Sequence, residues 1–405
     1  MSLEHAAGRI AERMRDLDYV ELYAHDDADG VAAGAIIALA LKREGKRFRL
    51  RIVRTLAPGD LAGTGGTEPA VLCDIGAAIK DLPGETLVID HHKPRFDGEF
   101  HFNPCLEGID GEKDLSGAGA AYLVASALGD NRDLAGLVMP GIIGDRQLIA
   151  GENLRIFNDA VAEGIISTER GLRLPGRDVR ERLLMAINPY FDGVSGNETA
   201  VEAIIEESGG IEAIRTGEVV SLVILKAAGC ASASALEAFY GDTYQLDREV
   251  LPDAHSLTAL IDACGKTGRG GLAASICLRS TEALPAAWEI TRKFRLGVIA
   301  SIREAVSSGD GPYRVDEIDL VSDVADALAW DCAREKPVLV YAEEQELCRV
   351  SARRPPGLEI HIGDLLHRLA SEAGGTGGGH PGRGGATIPK TMFQQFSESW
   401  REAVA

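Results

Sequence analysis

The chain has 405 residues, a formal net charge of −20 and 45% hydrophobic residues. These values predict a globular protein of two or three domains, and the negative charge argues against a protein that coats nucleic acid through phosphate contacts alone. The seven cysteines form no C-x-x-C pair, which argues against a disulfide framework or a structural zinc site. We expect a soluble, cytoplasmic protein without membrane contacts, because no segment resembles a leader or a transmembrane span.

The first 150 residues alternate between apolar strands and helices. Four segments read as strands, namely 19–25, 48–55, 70–76 and 86–92. Apolar strands that alternate with helices indicate a buried parallel sheet. We therefore predict a doubly wound α/β domain over residues 1–150, in which ligands collect beyond the carboxyl ends of the strands.

The rest of the chain is less regular. Residues 151–310 are predicted to be a mostly helical region that ends in a long helix over 286–305. A smaller α/β pattern follows over 311–405 and includes a glycine-rich segment at 374–385, which we expect to be a loop.

Four polar clusters stand at predicted strand ends or close to them. They are His25-Asp26-Asp27-Ala28-Asp29-Gly30, Asp74, Asp90-His91-His92 and Asp145. Each cluster alone is more typical of a turn, a helix cap or a half-buried histidine pair. Because all four lie near the carboxyl edge of one predicted sheet, we expect them to form one site.

Carboxylates and imidazoles without a thiolate favour manganese or magnesium over structural zinc. Two such ions, about 3.5–4 Å apart, can clamp a phosphoryl group and supply hydroxide at neutral pH. Asp90 and His91 are adjacent and cannot easily both face one ion. One of them should therefore orient its neighbour.

The order HDDADG, strand-end Asp, DHH and GxxGD resembles the DHH superfamily of phosphoesterases. That family includes RecJ exonucleases, phosphodiesterases for short oligonucleotides and family II pyrophosphatases. The resemblance implies one manganese or magnesium ion on His25 and Asp27, and a second on Asp29, His91 and Asp145. It also implies that Asp74 bridges the two ions and that His92, with Asp90, acts at the phosphate.

The C-terminal segment resembles the domain associated with nucleases and phosphodiesterases of this superfamily. The resemblance rests on a GGGH run preceded by VSARR, and pyrophosphatases carry a different C-terminal domain. Glycine N–H groups can approach an anion and arginines can pair with phosphate. The implied substrate-binding residues are Ser351, Arg353, Gly377, Gly378, Gly379, His380 and Arg383, and Arg354 and Lys390 add to the positive charge around them.

The segment SGAGAAYLVASAL at 116–128 resembles the RecJ-like branch. The first motif departs from bacterial RecJ, which typically has Asp where this chain has His25. This favours the archaeal-type relatives, in which a helical region is inserted at the position of 151–310.

Three functions follow from the resemblance. The first is a two-metal exonuclease on single-stranded DNA or RNA in DNA repair, replication or RNA turnover. The second is a phosphodiesterase for short oligoribonucleotides or cyclic dinucleotides. The third is a nuclease-related subunit of a replicative helicase complex, with a replication or repair partner docked on 151–310. Retention of every expected ligand favours an active enzyme.

Overall fold

The structure is a computed structural model that describes residues 2–62, 69–82, 86–211, 213–309, 311–332 and 334–405. The chain divides into two units, Met1–Glu169 with Asp242–Thr291, and Arg170–Gly241 with Arg292–Ala405. The three-segment division expected from the sequence stays a prediction. Within the described ranges, no helix is long and apolar enough to cross a membrane.

The α-helices, in chain order, are α1 (Leu3–Arg15), α2 (Ala28–Arg43), α3 (Pro58–Ala62), α4 (Gly117–Leu128), α5 (Val138–Gly144), α6 (Gly151–Ala162), α7 (Val179–Leu184), α8 (Glu198–Glu207), α9 (Thr216–Ala227), α10 (Ala233–Ala238), α11 (Ala254–Lys266), α12 (Gly270–Cys277), α13 (Leu284–Ser307), α14 (Val321–Asp326), α15 (Ile362–Glu372) and α16 (Phe393–Ala403). The long helix predicted over 286–305 is confirmed by α13.

The strands are β1 (Tyr19–His25), β2 (Arg47–Val53), β3 (Ala70–Cys73), β4 (Leu87–Ile89), β5 (His101–Phe102), β6 (Ile166–Leu172), β7 (Tyr240–Leu246), β8 (Tyr313–Arg314), β9 (Val338–Glu344), β10 (Leu347–Arg353), β11 (Thr376–Gly379) and β12 (Arg383–Pro389). The chain passes between the two units within β6, β7 and α13. The predicted α/β class, with a parallel sheet and a further sheet in the C-terminal segment, is confirmed.

The sheet of the first unit is parallel and has the order β2-β1-β3-β4-β5. The chain leaves β1 towards β2 on one side and later returns to β3 on the other side. The carboxyl ends of β1 and β3 therefore flank a topological switch point, where parallel sheets bind ligands.

Both faces of the strands β1, β3 and β4 are buried, which explains why these three strands are nearly continuously apolar. Leu22, Val71 and Ile89 face a core shared with α1, α2 and α4. Tyr23 and Leu72, at the alternate positions, face a smaller cluster. The polar residues that follow β3 and β4, Asp74 and Asp90, are also buried, so their carboxylates need polar or charged partners.

The sheet of the second unit has the order β11-β12-β10-β9-β8 and is antiparallel except for the pair β8–β9. It packs against a core that contains Leu366 and Leu369 of α15 and Phe396 and Trp400 of α16.

The glycine-rich segment 374–385 lies largely in strands, and the expectation of a loop was wrong. Thr376–Gly379 pairs with residues 384–387 to form the hairpin β11–β12. A side chain at Gly377 would lie 2.9 Å from the carbonyl oxygen of Leu366 in α15. A side chain at Gly379 would lie 2.4 Å from the carbonyl oxygen of Arg383 in the neighbouring strand. Close packing therefore excludes a side chain at both glycines.

Candidate metal centre

The polar residues predicted at the strand ends converge in the first unit. His25 ends β1, and Asp27 caps α2 by accepting a 2.9 Å hydrogen bond from the N–H of Gly30. Asp74 follows β3 directly, and Asp90, His91 and His92 follow β4. Asp145 is the residue after α5.

One set of donors surrounds His25. Its Nδ1 lies 2.9 Å from Asp27 Oδ2 and 3.7 Å from Asp74 Oδ2. These three side chains offer ligand atoms that all lie within 4.8 Å of one another.

A second set surrounds His91. Its Nε2 lies 3.2 Å from Asp74 Oδ1, 3.3 Å from Asp145 Oδ2 and 3.5 Å from Asp29 Oδ2. Asp74 therefore faces both sets, with one carboxylate oxygen towards each. The structure brings together all six residues that the sequence predicts as metal ligands.

Several donor atoms of the cluster are buried without a matching hydrogen bond. Among the described residues, Asp74 Oδ1, Asp74 Oδ2 and His91 Nε2 have no hydrogen-bond partner of good geometry. Buried polar atoms are rarely left in this state. Two donors held at right angles by one ion, at about 2.1 Å each, stand about 3 Å apart, which is close to the observed distances. The donor set fits divalent cations.

Asp90 is turned away from the donor atoms and holds the loop after β4. Its Oδ2 accepts the N–H of Ala77 at 2.8 Å, and its Oδ1 accepts the N–H of His91 at 2.8 Å. The same Oδ1 accepts a hydrogen bond from His92 Nδ1 at 2.8 Å. Asp90 thus orients His92, whose side chain is 35% exposed. The sequence predicted that one of Asp90 and His91 would orient the other; in the structure Asp90 contacts the main chain of His91 and the ring of His92.

Asp29 contacts both the start of α4 and the set of donor atoms around His91. Its carboxylate accepts the N–H of Gly117 at 2.6 Å and the N–H of Ala118 at 2.7 Å, at the start of α4. The positive end of a helix stabilises a carboxylate in this position. Because each oxygen accepts only one of these bonds, each keeps a further lone pair, and Oδ2 lies 3.5 Å from His91 Nε2.

Glycines line the cluster where the main chain approaches it. A Cβ at Gly117 would lie 2.6 Å from Asp74 Oδ1, and a Cβ at Gly141 would lie 2.1 Å from Asp29 Oδ1. A Cβ at Gly30 would lie 2.5 Å from the Cβ of His25. The sequence analysis quoted the SGAGA and GxxGD patterns but missed that their glycines make room for the ligands.

Three polar residues that hold the histidines were also missed. Asn103 donates a 2.8 Å hydrogen bond to the carbonyl oxygen of His92. His91 Nδ1 lies 2.5 Å from the carbonyl oxygen of Gly111, which also accepts Gln147 Nε2 at 2.9 Å. This contact turns His91 Nε2 towards the carboxylates.

The last of these three is Asn153, which is fully buried. It donates to Gln147 Oε1 at 2.8 Å and accepts the N–H of Ser116 at 3.2 Å. Ser116 caps the helix α4 whose first N–H groups hold Asp29. Asn153 therefore connects the support of His91 with the support of Asp29. Gln147 and Asn153 follow Asp145 by two and eight positions, and neither belongs to a pattern that would reveal this role from the sequence.

The crowding of carboxylates shifts the pKa values of the cluster. Burial and the charge of Asp27 raise the pKa of Asp74 to about 6. Burial, with the charges of Asp74 and Asp145, holds the pKa of Asp29 well above its ordinary value. Such a site needs compensating positive charge.

The histidines show the complementary effect. Burial opposes protonation of His25, but the carboxylates around it, Asp27 first, prevail and raise its pKa to about 10. Burial also opposes protonation of His92, and Asp90 prevails to raise its pKa to about 9. Without metal, the cluster draws in protons, and bound cations would replace them.

The predicted substrate-binding residues lie in the second unit. Arg353 is buried, where it pairs with Asp326 and donates to Ser351 Oγ at 2.7 Å and Ser322 Oγ at 2.8 Å. Its neighbour across the strands is Arg383. Gly378 has open space where a side chain would stand, and half-buried His380 lies in the hairpin turn. Arg353 and Ser351 thus belong to an internal network, whereas the hairpin backbone is accessible. Lys390 pairs with Glu343.

These features define a class: an α/β protein with a carboxylate–histidine cluster at the switch point of a parallel sheet, and a separate antiparallel sheet in the C-terminal segment. Residues 319–405 match the model of the DHHA1 domain family. Over 424 aligned residues the chain is 24% identical to an uncharacterized protein, MJ0831, of Methanocaldococcus jannaschii, with 97% of this chain and 95% of that protein covered.

Solved structures share the fold. RecJ of Thermus thermophilus in complex with Mn²⁺ matches 98% of this chain with a TM-score of 0.63 and 18% identity. The match covers 53% of that protein, so the chain spans about half its length. CDC45 of Entamoeba histolytica matches 98% of this chain and 97% of its own, with a TM-score of 0.62 and 11% identity. The chain therefore shares the fold of these structures and carries a DHHA1 domain over residues 319–405.

Proposed function

We propose that the chain is a metal-dependent phosphodiesterase that removes nucleotides from an end of single-stranded DNA or RNA. The observation that carries the proposal is Asp74, a buried carboxylate with one oxygen towards each of two donor sets. A carboxylate between two cation sites is the arrangement that two-metal phosphoryl chemistry uses.

The residues divide into two ligand sets. His25 and Asp27 would hold one divalent cation with Asp74, and Asp29, His91 and Asp145 would hold the other with Asp74. Two manganese or magnesium ions held there would activate water and neutralise charge on the phosphoryl oxygens. The absence of thiolates from the donor set supports these ions.

His92 is the residue for the proton. Asp90 accepts a hydrogen bond from His92 Nδ1 and so fixes the ring, and the imidazole, whose side chain is 35% exposed, can reach a bound phosphate. The high pKa of about 9 keeps His92 protonated at neutral pH in the metal-free protein. We assign it the donation of a proton to a phosphate or leaving-group oxygen.

In the second unit, we assign contact with the nucleic acid to the hairpin residues Gly378, His380 and Arg383. The open space beside Gly378, on the edge strand β11, supports the assignment, since a residue without a side chain lets an anion approach the main chain closely. Ser351 and Arg353, which the sequence analysis placed at the substrate, instead support the hairpin from inside. The presence of the whole donor set supports catalysis over a scaffold role.

The test is a hydrolysis assay on end-labelled DNA and RNA in both polarities, with Mn²⁺ or Mg²⁺ and with EDTA. We expect mononucleotide release that needs the metal and that is lost in Asp74→Asn. Metal-dependent hydrolysis of dinucleotides alone would favour a phosphodiesterase for short substrates. Absence of hydrolysis on every substrate, with metal bound, would overturn the enzymatic proposal.

A further inference from the structure

One short segment carries a positive net charge in a chain whose net charge is negative. Residues 42–54 contain seven basic residues and one acidic residue, although the whole chain carries a net charge of −20. This segment ends α2 and forms β2. A local basic surface on an acidic protein is what a polyanion would require.

The strand β2 separates these charges from its apolar residues. Phe48, Leu50 and Ile52 pack against the main core of the first unit. Because side chains alternate along a strand, Arg47, Arg49 and Arg51 stand on the opposite face. We call these three residues the arginine row. The guanidinium of Arg51 lies over the ring of Tyr23, 5.6 Å from its centroid, which places the row on the Tyr23 face of the sheet.

The three arginines of the row differ in whether a described carboxylate neutralises their charge. Arg51 is paired with Glu21 at 3.1 Å. Arg47 and Arg49 are exposed and form no ion pair with any residue that the structure describes. Asp16 and Asp18 border a groove with Arg47, so the uncompensated charge is greatest at Arg49.

The arginine row leads towards the metal centre. β2 is an edge strand that runs parallel to β1, with Arg47 opposite Tyr19, Arg51 opposite Tyr23 and Val53 opposite His25. At about 3.3 Å per residue, the arginines repeat about every 6.6 Å, and Arg49 stands about 13 Å from the end of the strand. A chain of regularly spaced charges on this row would end near His25.

We propose that the arginine row binds the phosphate backbone of a single-stranded nucleic acid whose end lies in the metal centre. The position of the end rests on the proposed function, whereas the contact of the row with phosphates does not. The row thus makes long strands better substrates than dinucleotides. A nucleic acid fits better than an acidic protein, because the row runs to a site built for phosphoryl chemistry.

The first experiment measures binding of a fluorescein-labelled 20-nucleotide single strand by anisotropy in EDTA, which prevents turnover. Each phosphate contact on a single strand contributes about 0.7 to the slope of log affinity against log salt. Arg47→Gln/Arg49→Gln should lower this slope by about 1.4. The advantage of the wild type should therefore shrink about sevenfold between 50 and 200 mM salt.

The control is Lys226→Gln/Arg248→Gln, which removes the same charge from two exposed positions outside the arginine row. It should bind as the wild type does. An unchanged slope in Arg47→Gln/Arg49→Gln, an equal loss in the control, or no binding by the wild type would overturn the proposal. Equal competition by polyglutamate would also overturn it, in favour of an acidic protein partner.

The second experiment separates this inference from the proposed function. Arg47→Gln/Arg49→Gln should lower kcat/KM on the 20-nucleotide strand and leave hydrolysis of a dinucleotide unchanged. If the variant hydrolyses both substrates as the wild type does, the proposal for the arginine row is refuted and the hydrolase proposal stands. A protein that hydrolyses neither substrate, but shows the expected salt slope, would refute the hydrolase proposal and leave the row as a binding surface.

Discussion

The main-chain N–H of Gly117 donates a 2.6 Å hydrogen bond to Oδ2 of Asp29 at the first turn of α4. The same glycine leaves room for the neighbouring carboxylate, because a Cβ there would lie 2.6 Å from Asp74 Oδ1. One residue thus positions a ligand of one donor set and the carboxylate shared by both sets. The geometry of the centre depends on this close approach.

Gly117→Ala should weaken Mn²⁺ binding by about 10- to 100-fold, as is typical when the support of a metal ligand is changed. The added methyl group displaces Asp74, although alanine is the better helix former. Titration calorimetry with Mn²⁺ measures the effect. Gly8→Ala in α1, where a Cβ meets nothing within 4 Å, is the control and should keep metal binding while it stabilises the protein by up to about 1 kcal/mol. Normal Mn²⁺ affinity in Gly117→Ala would contradict the crowding at Asp74.

Asp74→Asn should abolish hydrolysis and yet stabilise the metal-free protein at pH 8. The pKa of Asp74 is raised from 3.8 to about 6, so its ionised form costs up to about 3 kcal/mol in the fold. Asn is preferable to Ala here, because Asp74 has a φ of 58° and Asn tolerates that conformation. Denaturant unfolding in EDTA measures the gain. Activity above about a tenth of the wild type would show that Asp74 does not bridge the ions.

Metal-dependent stabilisation should increase with pH. The pKa values of His25 and His92 rise from 6.5 in the unfolded chain to about 10 and 9 in the fold. Their protons therefore stabilise the metal-free protein fully below pH 6.5, and this contribution is lost as the pH rises towards 9 and 10. The increase of Tm on adding Mn²⁺ should accordingly be larger at pH 8.5 than at pH 6.5. An equal or smaller increase at pH 8.5 would contradict the exchange of protons for metal.

Gln147→Leu should lower Mn²⁺ affinity, because it removes the side chain beside His91 Nδ1 and leaves Asn153 without its acceptor. We expect a loss of about 10- to 100-fold. Gln394→Leu on the exposed face of α16 changes the same atoms and should have no effect on metal binding. Recovery of affinity in Gln147→Glu, whose carboxylate can still accept from Asn153, would indicate that the link to Asn153 matters more than the donation to Gly111.

Arg353→Met should destabilise the second unit, because it leaves the carboxylate of Asp326 without its partner in a largely buried position. Breaking such a pair costs about 3–5 kcal/mol. If Arg353→Met folds as stably as the wild type and loses oligonucleotide turnover, Arg353 contacts the substrate as the sequence pattern suggested.

His380→Ala should leave the unfolding temperature nearly unchanged and weaken turnover of oligonucleotides more than turnover of bis-p-nitrophenyl phosphate.

The sequence by itself determined the parallel sheet and the place of the residues that we propose as metal ligands. Apolar runs such as 19–25 and 70–73 can be buried only in a sheet covered on both faces, and polar residues that follow them must lie at the sheet edge. His25, Asp74 and His91 therefore converge for a reason that is local to each strand. The place at which they converge agrees with the rule that ligands bind at the switch point of a parallel sheet.

Only the tertiary structure decided what supports these ligands. The contacts of Gly117 with Asp74 and of Asn153 with Ser116 join residues that are 43 and 37 positions apart, and no local periodicity records them. Arg353 looked suited to phosphate because arginine commonly binds it, but Asp326 and Ser322 from α14 occupy its guanidinium. The glycine-rich segment became a hairpin for a similar reason: the approach of α15 excludes side chains there, and this approach is a long-range contact. The sequence gives only the chemical type of a side chain. Burial and ion pairs with distant segments decide whether that side chain can contact a substrate.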